Sequence, residues 1–139
     1  YQKGEYVHIH NMKQEEVGDV IGEPMSITFQ GYMRPDGRAG SRNYVAVIPS
    51  VICATDVAQA ICRQVAGTIG FFHHQGCCQL PIDLKRVTDT LTSLALAEVG
   101  AVLLVSLGCE GTDTQKIMEE VEKSGKPLEV NPHSGTGAE

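Results

Sequence analysis

No stretch of this sequence approaches the roughly 18 consecutive apolar residues that a membrane-spanning helix requires. The opening Tyr1-Gln2-Lys3-Gly4-Glu5 lacks the apolar run of a secretory signal. It also lacks an initiator Met, as expected of a piece cut from a longer chain. Basic residues are scarce: 11 Lys and Arg stand against 17 Asp and Glu, for a formal net charge of -6. Nucleic-acid partners are excluded on that ground, because displacing counterions from a polyanion needs a basic surface. No Cys-x-x-Cys pair occurs, which removes the zinc ribbon, and no Gly-x-Gly-x-x-Gly follows the first strand, which removes a dinucleotide fingerprint. There is no internal repeat. The cysteine count is five, an odd number without a signal peptide, which fits a reducing, cytoplasmic compartment better than a disulfide framework.

What is there fits one globular domain: 139 residues, 42% hydrophobic, enough to bury a sizeable core once but not twice. From about residue 44 the pattern alternates. Residues 44–51 (YVAVIPSV) form an apolar, β-branched run of strand length. Thr55 caps a helix with Val57, Ile61 and Val65 as its apolar stripe, ended by Gly67. A short strand over 68–72 precedes a second helix over 83–97, with Leu84, Val87, Leu91 and Leu94 on one face and Pro81 just ahead. The run 101–107 (AVLLVSL) suits a strand covered on both faces. Thr112 and Gln115 make a capping box for a third helix carrying Ile117, Met118 and Val121, and 127–130 reads as a fourth strand. The expectation is an α/β, three-layer Rossmann-like domain over 29–130 with a four-stranded parallel sheet in the order 2-1-3-4 and right-handed crossovers. Residues 1–28 read as an extended segment ending a preceding small β domain, followed by a linker. Residues 131–139 read as a flexible tail.

Ligands of open parallel sheets bind outside the carboxyl ends of the strands. There each of the first three strands delivers a cysteine: Cys53 after the first, Cys77 within His73-His74-Gln75-Gly76-Cys77-Cys78 after the second, and Cys109 within Gly108-Cys109-Glu110-Gly111 after the third. Strands lie about 4.8 Å apart, so three neighbouring ends span roughly 10 Å. Against this stands the plainer reading that free cysteines fill space. It is the preferred one for Cys62, which shares an i, i+4 row with Ala58 and Ala66. Cys78 is taken as a bystander of the adjacent pair. Residues 31–43 place Arg34, Arg38 and Arg42 among glycines, either as forked donors to a carboxylate or as a surface turn in which Asp36 pairs with an arginine. His8 and His10 share one face of a strand over 5–11, exposed or metal-ligating.

In their order and spacing, several segments resemble the altronate/galactarate dehydratase family, which includes the large part of sulfolactate sulfo-lyase. They are Phe29-Gln30-Gly31-Tyr32 with Arg34, Asp36-Gly37-Arg38 with Gly40, Arg42-Asn43-Tyr44, Cys53, His73-x-x-Gly76-Cys77 and Leu107-Gly108-Cys109-Glu110. Residues 3–11 resemble the end of the small SAF domain that precedes this region in such enzymes. Ala97-Glu98-Val99 departs from the pattern, standing where relatives often carry Pro-Asn. The resemblance implies dehydration of a hydroxylated sugar acid to a 2-keto-3-deoxy acid with a divalent metal, Fe(2+) or Mn(2+). On that reading His73 is the first candidate for ligand or general base and Glu110 the next. Arg34, Asp36, Arg38, Arg42 and Asn43 are candidates for the substrate carboxylate, beside the cysteine loops. Cys53, His73, Cys77 and Cys109 are candidate metal ligands; three thiolates also suit an iron–sulfur cluster held by three corners. Expected partners are a small-molecule carboxylate, further copies of the chain, and the remainder of the enzyme chain or a partner subunit. A sulfo-lyase acting on sulfolactate and a non-catalytic metal- or anion-binding module are the alternatives.

Overall fold

A computed structural model describes Thr28 and residues 30–131. His8, His10 and the expected N-terminal segment lie outside the described residues, as do residues 132–139. The elements, in chain order, are β1 (Tyr32–Met33), β2 (Ala39–Gly40), β3 (Val45–Pro49), a 3-10 turn (Ile52–Ala54), α1 (Thr55–Gln64), β4 (Thr68–Gly70), α2 (Pro81–Ala95), β5 (Ala101–Val105), α3 (Thr114–Lys123) and β6 (Leu128–Asn131). Strands β1 and β2 form a small antiparallel hairpin. The other four make one parallel sheet in the order β4-β3-β5-β6, the 2-1-3-4 arrangement expected from the β-α alternation. Asn131 belongs to β6, one residue into the expected tail.

The chain turns back on itself once: β3 runs outward to β4, then returns past β3 to β5 and β6. Right-handed crossovers then put α1 on one face and α2 and α3 on the other. Side chains alternate accordingly. Ala46 and Ile48 of β3 pack with Leu91, Ala95, Leu104, Ile117 and Val121 on the two-helix face. Val47 packs with Ala54, Ala58 and Val105 on the α1 face. Residues Ala46 to Ile48 are fully buried, as a central strand covered on both sides must be.

Three local expectations shift by one position. The inward row of α1 is Ala58 with half-buried Ile61 and Cys62, continued by Ala54 of the preceding turn, rather than Val57, Ile61 and Val65; Val57 and Val65 are exposed. Alanines let the helix lie close to the sheet, so the small residues win the inner face, and Cys62 packs there as expected. Thr55 is the first residue of α1 rather than its cap, and its hydroxyl donates to the His73 carbonyl at 3.3 Å. At α3 the cap is Asp113, whose Oδ1 accepts from the Lys116 N–H at 3.0 Å, while Thr112 is buried just ahead. Pro81 occupies the first turn of α2, where its missing N–H costs nothing. The far end of α2 has no basic residue of its own; buried Lys126 supplies one, donating to the carbonyls of Ala95 at 2.8 Å and Ala97 at 2.6 Å. Burial pushes the Lys126 pKa down, and nearby Arg38 adds to the effect.

Candidate functional site

The strand pairing Pro49 with Val105 sets the geometry of the carboxyl edge. The next residues on those two strands are Ser50 and Ser106, and both hydroxyls donate to Glu110 Oε1, Ser50 at 2.8 Å. Burial works to raise the Glu110 pKa. It is outweighed by the Ser106 hydroxyl, the nearby backbone N–H groups of Glu110 and Gly108, and the Ser50 hydroxyl, so the carboxyl titrates below its ordinary value. Glu110 is therefore a carboxylate at neutral pH. Its other oxygen, Oε2, is buried and has no hydrogen-bond partner among the described residues, and the same holds for Thr112 Oγ1. An orphaned acceptor on an ionised, rigidly held carboxylate is costly, and such atoms mark places where a ligand or a proton is received.

The loop between β4 and α2 is stitched over this edge by its backbone. Ile52 N–H donates to Gln75 O and Gly111 N–H to Gly76 O, each at 2.9 Å. Gly76 is the knot. Its φ is 99°, and a Cβ there would stand 2.6 Å from the Ser50 carbonyl oxygen and 2.9 Å from Thr112 Oγ1. His73 is engaged at both ring nitrogens: Nε2–H donates to Pro49 O at 2.7 Å, and Nδ1 accepts from Gln75 N–H at 3.1 Å. The carbonyl partner fixes the tautomer.

The cysteines reach the same edge. Cys53, Cys77 and Cys109 are all exposed. The Cys77 thiol is pushed up chiefly by its hydrogen bond with Cys78 and that neighbour's charge, then by burial and by the charges of Cys53 and Cys109. The loops after β3, β4 and β5 thus each carry an exposed cysteine. Even so, no group of three or more His, Cys, Asp or Glu among the described residues is spaced to hold a metal ion.

The arginine segment is not beside them. It immediately precedes β3, so it lies at the amino edge of the sheet, the length of a strand away. Arg34 is buried and donates to Asn43 Oδ1 at 2.7 Å, to Arg42 O at 2.7 Å and to Glu98 O at 3.1 Å. Gly40 leaves room for it, since a Cβ there would lie 2.6 Å from Arg34 Nη2. Arg38 forks onto Asp36 and reaches Leu96 O and Glu98, the surface-turn reading of this stretch. Asp36 is accordingly held below the usual carboxylate range by hydrogen bonds from Arg38. Arg42 leans over Tyr44, its guanidinium 5.9 Å from the ring centroid. Within this domain Arg34, Asp36, Arg38 and Asn43 clamp the starts of β3 and β5 together, and none of them meets Glu110 or the cysteines.

Sequence reasoning missed Ser50 and Ser106, and it placed Gly76 in a motif without a structural role. A serine directly after each of two adjacent apolar strands was the available signal for the first pair. It also missed a cavity of about 300 Å³ beside His73, lined by Phe71, Phe72, Arg86, Val87 and Leu91. Its walls are mostly apolar.

The family model for the second domain of D-galactarate dehydratase/altronate hydrolase matches residues 31–138. The chain belongs to this family. A (2R)-sulfolactate sulfo-lyase subunit beta from Chromohalobacter salexigens is 34% identical over 103 residues, covering 73% of this chain and 26% of the relative. Altronate dehydratase from Bacillus subtilis is 28% identical over 142 residues, covering 86% of the chain and 28% of the relative. Altronate dehydratase from Escherichia coli is 28% identical over 138 residues, covering 84% and 28%. The chain therefore spans 26–28% of the length of the curated relatives it matches. No solved structure matches it. These relatives are lyases by name, and this domain is a member of a lyase family. No helix among the described residues is long and apolar enough to cross a membrane.

Proposed function

We propose that this domain carries the proton-transfer half of a lyase site, in an enzyme that removes water from a hydroxylated sugar acid to leave a 2-keto-3-deoxy acid. The observation that carries the reading is Glu110: an ionised carboxylate with Oε1 pinned by two serines and Oε2 unpartnered, at the sheet edge where ligands of parallel sheets bind. In such an elimination a base takes the proton α to the substrate carboxylate, the β-hydroxyl leaves as water with a proton supplied by an acid, and the resulting enol tautomerises to the ketone. Glu110 is the base. His73, with both nitrogens occupied, holds the loop to the end of β3 and is the second candidate, reversing the order expected from sequence.

The enediolate also needs positive charge near the substrate carboxylate. The arginines of this domain stand at the opposite edge, so that charge comes from elsewhere in the whole protein, from a divalent metal, Fe(2+) or Mn(2+), or from both. The donors present here do not make a preformed centre. No three of them are suitably spaced, and His73 ligates only by giving up a ring hydrogen bond. No step is assigned to a metal on this domain for that reason, and the three-cornered iron–sulfur cluster on Cys53, Cys77 and Cys109 has the same difficulty.

The test is a panel of altronate, galactarate and sulfolactate given to the full-length protein, before and after chelation and after reloading with Fe(2+) or Mn(2+). The expected result is a 2-keto acid from a sugar acid. Sulfite release from sulfolactate instead would favour the second reading, which the 34% identity to a sulfo-lyase subunit supports. No product from any of the three would leave a binding module.

A further inference from the structure

We propose that Cys77 and Cys78 are a vicinal dithiol, a modification site that closes reversibly to a disulfide when a peroxide removes two electrons. Adjacent side chains normally diverge, alternating across a strand and pointing about 100° apart around a helix. Here the two sulfurs lie 3.5 Å apart. The backbone makes the difference. Cys78 has φ 53°, the one non-glycine residue with positive φ among those described, and Gly76 on the other side of Cys77 has φ 99°. Left-handed conformation at a non-glycine residue is unfavourable and persists only where the surroundings hold it. The surroundings do so on both flanks: Gly76 is tied to Gly111 and to Gln79, whose Oε1 accepts the Gly76 N–H at 2.7 Å, and Pro81 starts α2 directly beyond. Both cysteines are exposed, so an oxidant reaches them without any opening of the fold.

The step balances. One sulfur, as thiolate, attacks a peroxide oxygen and becomes a sulfenic acid while the other oxygen leaves as hydroxide. The neighbouring thiol then displaces that sulfenic oxygen as water and forms the S–S bond. Two thiols and one hydrogen peroxide give one disulfide and two waters. Consecutive Cα atoms are about 3.8 Å apart, short of the usual disulfide span of about 4.4–6.8 Å, so the eight-membered ring is strained and easily reduced. Strained, exposed disulfides belong to the labile, regulatory kind rather than the structural kind. The inference does not depend on the lyase reading, and its readout is independent of catalysis.

The experiment is tryptic mapping of the intact, folded protein after titration with hydrogen peroxide and blocking of the remaining thiols. Cleavage after Arg63 and Lys85 puts Cys77 and Cys78, and no other cysteine, in residues 64–85. Cys53 and Cys62 fall in 43–63, and Cys109 falls in 87–116. The expected product is peptide 64–85 lighter by two hydrogens, unblocked and unlinked, returning to the dithiol with reduced glutathione. In Cys78→Ser the lighter peptide disappears, and Cys77 is trapped instead by a sulfenic-acid reagent. Peptide 64–85 linked to 43–63 or to 87–116 would overturn the proposal, as would two blocked thiols or only sulfinic and sulfonic products. Mapping of the unsubstituted protein decides the matter even if the variant does not fold.

Discussion

Arg34→Ala separates two roles for the arginine segment, because they predict opposite observables. Arg34 is 8% exposed and donates to three acceptors, Asn43 Oδ1, Arg42 O and Glu98 O. Truncation removes the donor and leaves all three acceptors in place. Leaving a buried acceptor unsatisfied costs about 1–3 kcal/mol. The site lies at the sheet edge, where water can rescue some of these groups, so the low end applies and three acceptors give about 3–4 kcal/mol in total. In a domain of about 100 residues each 1 kcal/mol moves Tm by about 4–8 °C, so a fall of more than about 10 °C is expected. Arg34→Lys keeps the charge but not the fork, and its single ammonium cannot reach both Asn43 and Glu98 in the same geometry. Its loss is expected to fall between the two, about 2 kcal/mol. Differential scanning calorimetry and urea unfolding of the purified protein measure both. An Arg34→Ala protein with Tm within about 1 °C of the parent, together with weakened carboxylate binding, would refute the clamp and return Arg34 to the substrate.

Gly76→Ala is expected to cost more than about 2 kcal/mol in urea unfolding, because it adds left-handed strain to a Cβ 2.6 Å from a backbone oxygen; an unchanged midpoint would count against the stitched loop. Asp89 is held down to about 2, first by its hydrogen bond from Lys116 on α3 and then by that from Lys85. Its folded value is depressed, so its stabilising effect is present above the ordinary carboxylate value of 3.8 and is lost as pH falls through about 2. Carboxyl-carbon NMR should show it titrating near 2, and a midpoint near 3.8 would mean the bridge between α2 and α3 does not form in solution. Lys126→Met should lower stability by about 1–2 kcal/mol by uncapping α2, whereas an unchanged Tm would show that the Ala95 and Ala97 carbonyls find water instead.

The fold was legible where one force dominates. Residues 44–51 and 101–107 are continuous apolar runs, and chain order with crossover handedness then leaves few ways to arrange four parallel strands. Finer choices depend on which face the sheet accepts. Val57 and Val65 look like an apolar stripe, but Ala54 and Ala58 allow closer packing and take the inner face. Thr112 and Asp113 both suit a helix cap, and one residue of register decides between them. That Cys53, Cys77 and Cys109 sit in loops at the carboxyl ends of the strands followed from the strand order. The arginines were misplaced because a segment that leads into a strand reaches the opposite edge from a loop that leaves it. Ser50 and Ser106 read as strand residues, and their shared grip on Glu110 depends on the pairing of Pro49 with Val105, a register the sequence does not announce.

Turnover by Glu110→Gln in the full-length protein tests the account most directly. The amide keeps the size of the side chain and its acceptor toward Ser50 and Ser106, and it abolishes the base. On a sugar acid that the parent converts, kcat is expected to fall by about 10²–10⁴-fold with Tm little changed. A folded Glu110→Gln protein that forms the 2-keto acid at the parent rate would contradict the account.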